Sequence, residues 1–356
     1  MSLMQAESPA NETALPEWLS PRQREQWMLV ALAGLLFAAL MAGLMLGGLR
    51  IPPSAWFGAG EDSAFYSGIL VNIRLPRVLL GGLVGAGLAL SGASLQALFR
   101  NPLADPGLTG AASGGILAVV AGIVLIDMWG GAIGHRLGPY ALPLAAALSC
   151  CLTTLVTYVL ARDRDGHVDI ANLLLAGVGI NALAMAVIGL FVSIADDAQL
   201  RSIQFWMMGS LAGANWVAVA ATLPILAIAA LTLSRQARAL DAFTLGEGEA
   251  FLAGVDTLHL KRIVIGATAL AIGASVAFTG LVGFIGLLAP HCARLLGGQR
   301  YRYVLPASAL LGAALVILAD AVARMAISPA ELPIGVVTSL IGAPAFIAIL
   351  RRAQRG

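Results

Sequence analysis

The chain has 356 residues, 59% of them hydrophobic and only 11% charged, with a net charge of +2 and a mean hydropathy of +0.88. An ordinary soluble domain carries about a quarter charged residues, so this composition excludes one and points to a lipid environment. Lys261 is the only lysine and is followed by Arg262 rather than Ser or Thr. A phosphate-cradling G-x-x-x-x-G-K-[ST] loop is therefore absent, and any ATP-driven role needs a second polypeptide. Cys150, Cys151 and Cys292 all fall in apolar runs, which suggests neither a disulfide framework nor a C-x-x-C metal site.

Residues 1–26 hold four glutamates, two arginines and three prolines, unlike a cleavable signal. They read as a cytoplasmic N-terminal arm. Ser20-Pro21-Arg22-Gln23 then has the pattern of a helix start, with a cap, a proline in the first turn and Gln three residues after the cap. Charge-bounded apolar runs follow at 27–49, 78–99, 107–126, 140–161, 170–195, 215–234, 263–293, 304–325 and 332–350. All but one suit a single crossing of a ~30 Å hydrocarbon core. The run 263–293 is 31 residues long and basic at both ends. At ~1.5 Å per residue it is too long for one crossing, so it is predicted to turn back near Thr279-Gly280 and Gly283.

The expected fold is thus all-α, a polytopic membrane protein with ten transmembrane helices in a single domain over 27–356. Placing the N-terminus inside leaves fifteen Lys and Arg on the cytoplasmic side and six outside, as the positive-inside rule requires. Both termini are then cytoplasmic. Gly85-Ala86 and Gly92-Ala93-Ser94 recur with the same spacing as Gly266-Ala267 and Gly273-Ala274-Ser275. The two copies lie in helices of opposite direction, as in an inverted repeat. Gly43/Gly47, Gly81/Gly85 and Gly110/Gly114 are pairs that let helices approach closely.

The stretch 74–110 carries the most information. It reads R-L-P-R, then 22 uncharged residues, then R-N-P-L-A-D-P-G-L-T-G. Pro102 stops one helix, Asp105 can cap the next, and Pro106 occupies a first-turn position that needs no N–H. With Arg74, Pro76, Arg77, Gln96 and the run from Arg100 to Pro106, this block resembles the permease subunits of bacterial ABC importers for iron chelates, haem and cobalamin. The resemblance extends from about Arg74 to Arg352. It implies an inner-membrane homodimer served by two ATP-binding cassette ATPases and a periplasmic substrate-binding protein, with ATP used by the partner chain and no cofactor, metal or nucleic acid held by this one.

Three groups of residues carry functional expectations. Arg74 and Arg77 flank an expected outward-facing turn, and Arg324 lies near the outer end of its helix. The resemblance makes them the docking points for carboxylates of the binding protein; the simpler reading pairs Arg324 with Asp320 one turn earlier. The cytoplasmic segment 240–262 contains L-G-E-G-E-A-F-L-A-G-V, which resembles the coupling helices that enter a groove of the ATPase. Leu245, Gly246, Glu247, Ala250 and Gly254 are its expected contacts. The stretch from Asp196 to Leu211 reads as a short periplasmic re-entrant helix. With Asn181 it supplies Arg201, Phe205, Trp206 and Gly209 to the pathway by resemblance; on residue type alone, Trp206 is equally an interface anchor and Asn181 a packing contact.

Competing readings fail on their chemistry. Gly177, Gly179 and Ala182 imitate a dinucleotide fingerprint but lie inside an uncharged 26-residue run. His135, His167, His259 and His291 lack metal-ligand spacing, and no nucleophile–base pair stands out, so no catalytic residue is expected. An ion-coupled secondary transporter keeps ionisable residues near the midplane, where this chain has almost none. The D-A-Q-L-R-S-I-x-F-W pattern resembles the haem permeases of the family most closely, with ferric siderophores and cobalamin as alternative cargoes.

Overall fold

Helices dominate because a backbone surrounded by apolar side chains must satisfy its own polar groups. The structure, a computed structural model, describes residues 20–49, 51, 63–128, 140–163, 168–327 and 330–353. Most of the expected N-terminal arm, together with Arg50, His135, Arg136, Arg164, His167 and Arg355, lies outside the described residues. The described residues form helices joined by short turns, with one isolated bridge between Arg162 and Val168.

Helix α1 (Pro21–Met45) starts at the expected capping box. Ser20 N–H donates to Gln23 Oε1 at 2.9 Å, and Gln23 N–H returns to Ser20 Oγ at 3.4 Å. The next segment departs from expectation. Arg74 to Arg77 is no turn: α2 (Ser63–Ile69), a π-helical turn (Leu70–Arg74) and α3 (Leu75–Leu98) run on as one helix. The reason is Pro76, which has no N–H and whose ring crowds the preceding turn. The widened turn absorbs it, with Leu75 N–H bonding Leu70 O. That leaves Val71 O without a backbone donor, and the indole N–H of Trp216 fills the gap at 3.0 Å.

Asp105 caps, but it caps a 3₁₀ turn (Pro106–Thr109) rather than the next long helix; its carboxylate accepts from Gly107 N–H at 2.7 Å. Gly110, at φ +79, then redirects the chain into α4 (Ala111–Met128). Helices α5 (Ala141–Leu160), α6 (Ile170–Ile194), α7 (Asp197–Met208) and α8 (Trp216–Arg235) follow. After two short helices, α9 (Ala237–Leu245) and α10 (Glu247–Leu252), the long apolar run divides where expected. It forms α11 (Thr257–Thr279), an irregular link, and α12 (Ile285–Gly297). The chain closes with α13 (Tyr301–Ala326) and α14 (Ile334–Ala353).

Seven helices among the described residues are long and apolar enough to cross a membrane, and α4, α12 and α14 are shorter apolar helices. Helices α3, α11 and α13 are mostly buried at the centre, whereas α1, α5, α6 and α8 keep most of their surface exposed. That exposed surface is apolar: Leu148, Leu175, Leu183 and Leu190 all point outward. Such a distribution suits lipid as solvent. Without water to drive apolar faces together, helices associate through close contact at small residues. Gly85 of α3 meets Gly312 of α13, and Gly92 meets Gly286 of α12, so tightly that a Cβ at either position of α3 would collide with a carbonyl oxygen. The paired Gly-Ala-Ser segments sit in α3 and α11, which pack on one another. Ser94 and Ser275 play the same part there, each hydroxyl donating to the carbonyl four residues back at 2.8 and 2.7 Å.

Candidate functional site

The three singled-out arginines do come together, but they face inward. Helix α1 ends with carbonyls that lack intrahelical partners. Arg74 meets them: its Nη1 donates to Leu44 O at 2.6 Å and Met45 O at 2.9 Å, and its Nη2 donates to Leu49 O. Arg324 Nη2 adds a bond to Gly43 O at 2.8 Å. Gly47 leaves room for both guanidinium groups. A cation at a helix C-terminus is also favoured by the helix dipole.

Arg77 takes a different role. It forks onto Asp320 through Nε (3.0 and 3.1 Å) and Nη2 (2.9 Å), and onto Glu331 through Nη1 (3.0 Å) and Nη2 (2.9 Å). Arg324 Nε lies 3.0 Å from Oδ2 of Asp320, the pairing one turn apart that the sequence allowed. Arg74, Arg77 and Arg324 are 4%, 7% and 7% exposed. Two carboxylates among three guanidinium groups leave the cluster one positive charge in excess. Nothing local in the sequence marks Glu331 for this role beyond its place seven residues after Arg324.

The pathway residues do not form one surface. Asn181 is a packing residue: its Nδ2 donates to Gly107 O at 3.0 Å and its Oδ1 accepts from Ser113 Oγ at 2.6 Å, which ties α6 to the turn before α4. One amide N–H and the amide oxygen are thereby engaged between helices. Trp206 also turns inward, against the cluster around Val119, Ala146 and Ala277. Arg201 and Phe205 are exposed on α7. Gly209, at φ +71, ends α7 and joins three irregular segments. Ser210 N–H donates to Thr279 O (2.8 Å), Leu281 N–H to Trp206 O (3.3 Å) and Ile334 N–H to Gly209 O (3.0 Å). Gly209, Gly280 and Gly335 make this junction possible, since a Cβ on any of them would strike a neighbouring carbonyl oxygen. Beside it opens a cleft of about 510 Å³ lined mainly by Met207, Met208, Leu281, Phe284, Val336 and Leu340.

At the other end of α13, some 35 Å away at ~1.5 Å per residue, lies the segment 237–262. Asp241 Oδ1 accepts from Tyr301 N–H at 2.7 Å and so anchors α9 to the start of α13. Leu240 and Phe243 are buried beneath it. Gly246 (φ +144) and Gly254 (φ +84) bracket α10, in the conformations that favour glycine. Lys261 is only 4% exposed, yet its ammonium is satisfied by Glu247 at 2.6 Å and Val168 O at 2.8 Å. One expected contact is corrected. Ala250 is fully buried against the chain's own core and is unavailable to a partner, because it faces inward on the short α10. The side chains that project are Leu245 (78% exposed), Phe251 (69%) and Leu252 (86%). The last two were missed because the resembling motif is carried by its glycines and its glutamate.

Apolar helices exposed around a buried helical centre, with a short helix pair at one end, define a multi-pass membrane protein. The pattern of the FecCD transport family matches residues 35–352, and the chain belongs to that family. It is 39% identical over 347 residues to the hemin transport system permease protein HmuU of Yersinia pestis, covering 94% of this chain and 98% of that one. It is 38% identical over 337 residues to the vitamin B12 import system permease protein BtuC of Escherichia coli, covering 94% and 97%. Among solved structures, an inward-facing metal-chelate type ABC transporter matches with a TM-score of 0.81 at 31% identity, over 92% of this chain and 99% of that one. The family is one of transport permeases, which carry no catalytic centre of their own.

Proposed function

We propose that this chain is the membrane-spanning subunit of an ATP-driven importer that moves an iron chelate, with haem as first choice, from periplasm to cytoplasm. Ferric siderophores and cobalamin are the alternatives; the similarity to HmuU and that to BtuC are nearly equal. The observation that carries the reading is the segment 237–262. It exposes Leu245, Phe251 and Leu252 on a support fixed by the Glu247–Lys261 ion pair. Exposed apolar side chains on a rigid, short helix pair are what an external motor needs to grip. The chain lacks a nucleotide-binding loop, so that motor is a separate ATPase.

The topology proposed is ten crossings with both termini cytoplasmic, made by the seven long helices and the three shorter ones. Two copies would face each other across the cleft by Met207, Met208 and Phe284, forming the pathway between them. The excess positive charge around Arg74, Arg77 and Arg324 would attract an acidic face of a binding protein, chiefly speeding capture. Glu331 would yield Arg77 to the incoming carboxylate. Permease and ATPase reconstituted in proteoliposomes should accumulate cargo only with ATP and binding protein. Titrating that binding protein with haem, a ferric siderophore and cobalamin identifies the cargo. Uptake driven by a proton gradient without ATP would overturn the importer reading; a partner that ignores haem would overturn only the cargo.

A further inference from the structure

At the end of the molecule that carries α9, a groove of about 530 Å³ opens between the last turn of α8 and the first turn of α13. Arg235, Arg238 and Arg302 line it, with Tyr301, Leu305 and Pro306. All three arginines are exposed. None makes an ion pair or a side-chain hydrogen bond within the described residues. The nearest carboxylate in sequence, Asp241, is held by the backbone N–H of Tyr301 at 2.7 Å. Three guanidinium groups around one concavity make it attractive to an anion.

What lies below the groove tells which anion. Arg235 continues an outward stripe of α8 formed by Ile228 and Leu231, 60% and 58% exposed, at spacings of three and four residues. Arg302 stands above Pro306, Ala309 and Leu310 of α13, which are partly exposed on the same face. Helices α8 and α13 touch only weakly and are bridged by α9, so a furrow runs between them. A cationic mouth over apolar walls matches an amphiphile with a negative head and hydrocarbon tails. Basic pockets between membrane helices on the cytoplasmic side are where phospholipid head groups are held. A free phosphate would use the mouth alone and leave the walls without a partner.

We infer that Arg235, Arg238 and Arg302 form a binding site for the phosphodiester head group of an anionic phospholipid, whose acyl chains lie along α8 and α13. Tyr301 connects the site to the motor-facing segment, since its backbone holds Asp241 of α9. Bound lipid would therefore brace α9 against α13. The inference rests on the proposed topology, which puts this end of α8 and α13 at the cytoplasmic surface, and it stands whatever the cargo.

The test is native mass spectrometry on the full-length, detergent-purified chain, titrated separately with cardiolipin, phosphatidylglycerol, phosphatidylcholine and inorganic phosphate. Both anionic lipids should bind in preference to phosphatidylcholine. Arg302→Gln should weaken that binding about fivefold, and the triple variant with Arg235→Gln and Arg238→Gln about a hundredfold, from the usual attraction per basic group. Arg162→Gln, which removes a charge at the same end but outside the groove, should leave it unchanged. These exposed substitutions are expected to leave the melting temperature close to that of the parent. Equal retention of anionic lipid by the parent and the triple variant would overturn the inference. So would binding of phosphate as tight as that of lipid.

Discussion

Replacing Asp320 by Asn probes the charged cluster most directly. Its carboxylate is 3% exposed and serves two cations, accepting from Arg77 at 2.9 to 3.1 Å and lying 3.0 Å from Arg324 Nε. Asparagine retains one acceptor oxygen but turns an NH₂ group toward donors. Arg77 would then depend on Glu331, while Arg324 would keep only its bond to Gly43 O. Breaking a buried ion pair in this way costs about 3–5 kcal/mol, mostly from the cation left uncompensated. Glu331→Gln is the internal control. Its side chain is 38% exposed, so solvent screens the pair and the loss should be about 0–1 kcal/mol. Denaturant titration in detergent, followed by tryptophan fluorescence, should separate the two variants by at least ~2 kcal/mol. If both cost the same, or Asp320→Asn costs under ~1 kcal/mol, the cluster is hydrated and Asp320 is not its hub.

Other substitutions test the remaining parts. Gly92→Ala places a Cβ against Gly286 O and should lower stability by about 1–3 kcal/mol through overpacking; an unchanged melting temperature would show that α3 and α12 can separate freely. Trp216→Phe removes the donor to Val71 O and should cost about 1 kcal/mol, with faster amide exchange around residues 70–75. Phe251→Asp with Leu252→Asp alters only exposed side chains, so stability should move by about 0.5 kcal/mol or less. ATPase association and coupled uptake should nevertheless collapse; intact co-purification would refute the proposed grip. Lys261→Met removes two charge-assisted bonds at about 1.5–3 kcal/mol each, and hydrogen exchange should report a loosened α10.

Much of this molecule was legible from residue order. The uncharged runs located the long helices because a lipid-facing helix must be apolar throughout its length, whatever it packs against. Ser20 and Asp105 announced their caps, and the excessive length of 263–293 required the break that Thr279-Gly280 supplies. The misreadings share one origin. The segment from Arg74 to Arg77 was expected to be an outward-facing turn, yet a π turn and Trp216, 140 positions after Pro76, let one helix run through it. For Asn181 residue type left a cavity and a packing contact equally open, because nothing local shows that Gly107 O and Ser113 Oγ meet its amide.

Hydrophobic length, capping residues and charge bias act within a few turns of the chain, so the sequence alone determined that this is a helical membrane protein and where most of its long helices run. Which way a polar side chain points depends on groups brought from far along the chain. Only the tertiary structure could decide that Arg77 meets Asp320 and Glu331, that Ala250 hides while Phe251 and Leu252 project, and that Gly209, Gly280 and Gly335 converge. Those outcomes rest on contacts between helices, where a single ångström separates a close backbone crossing from a collision.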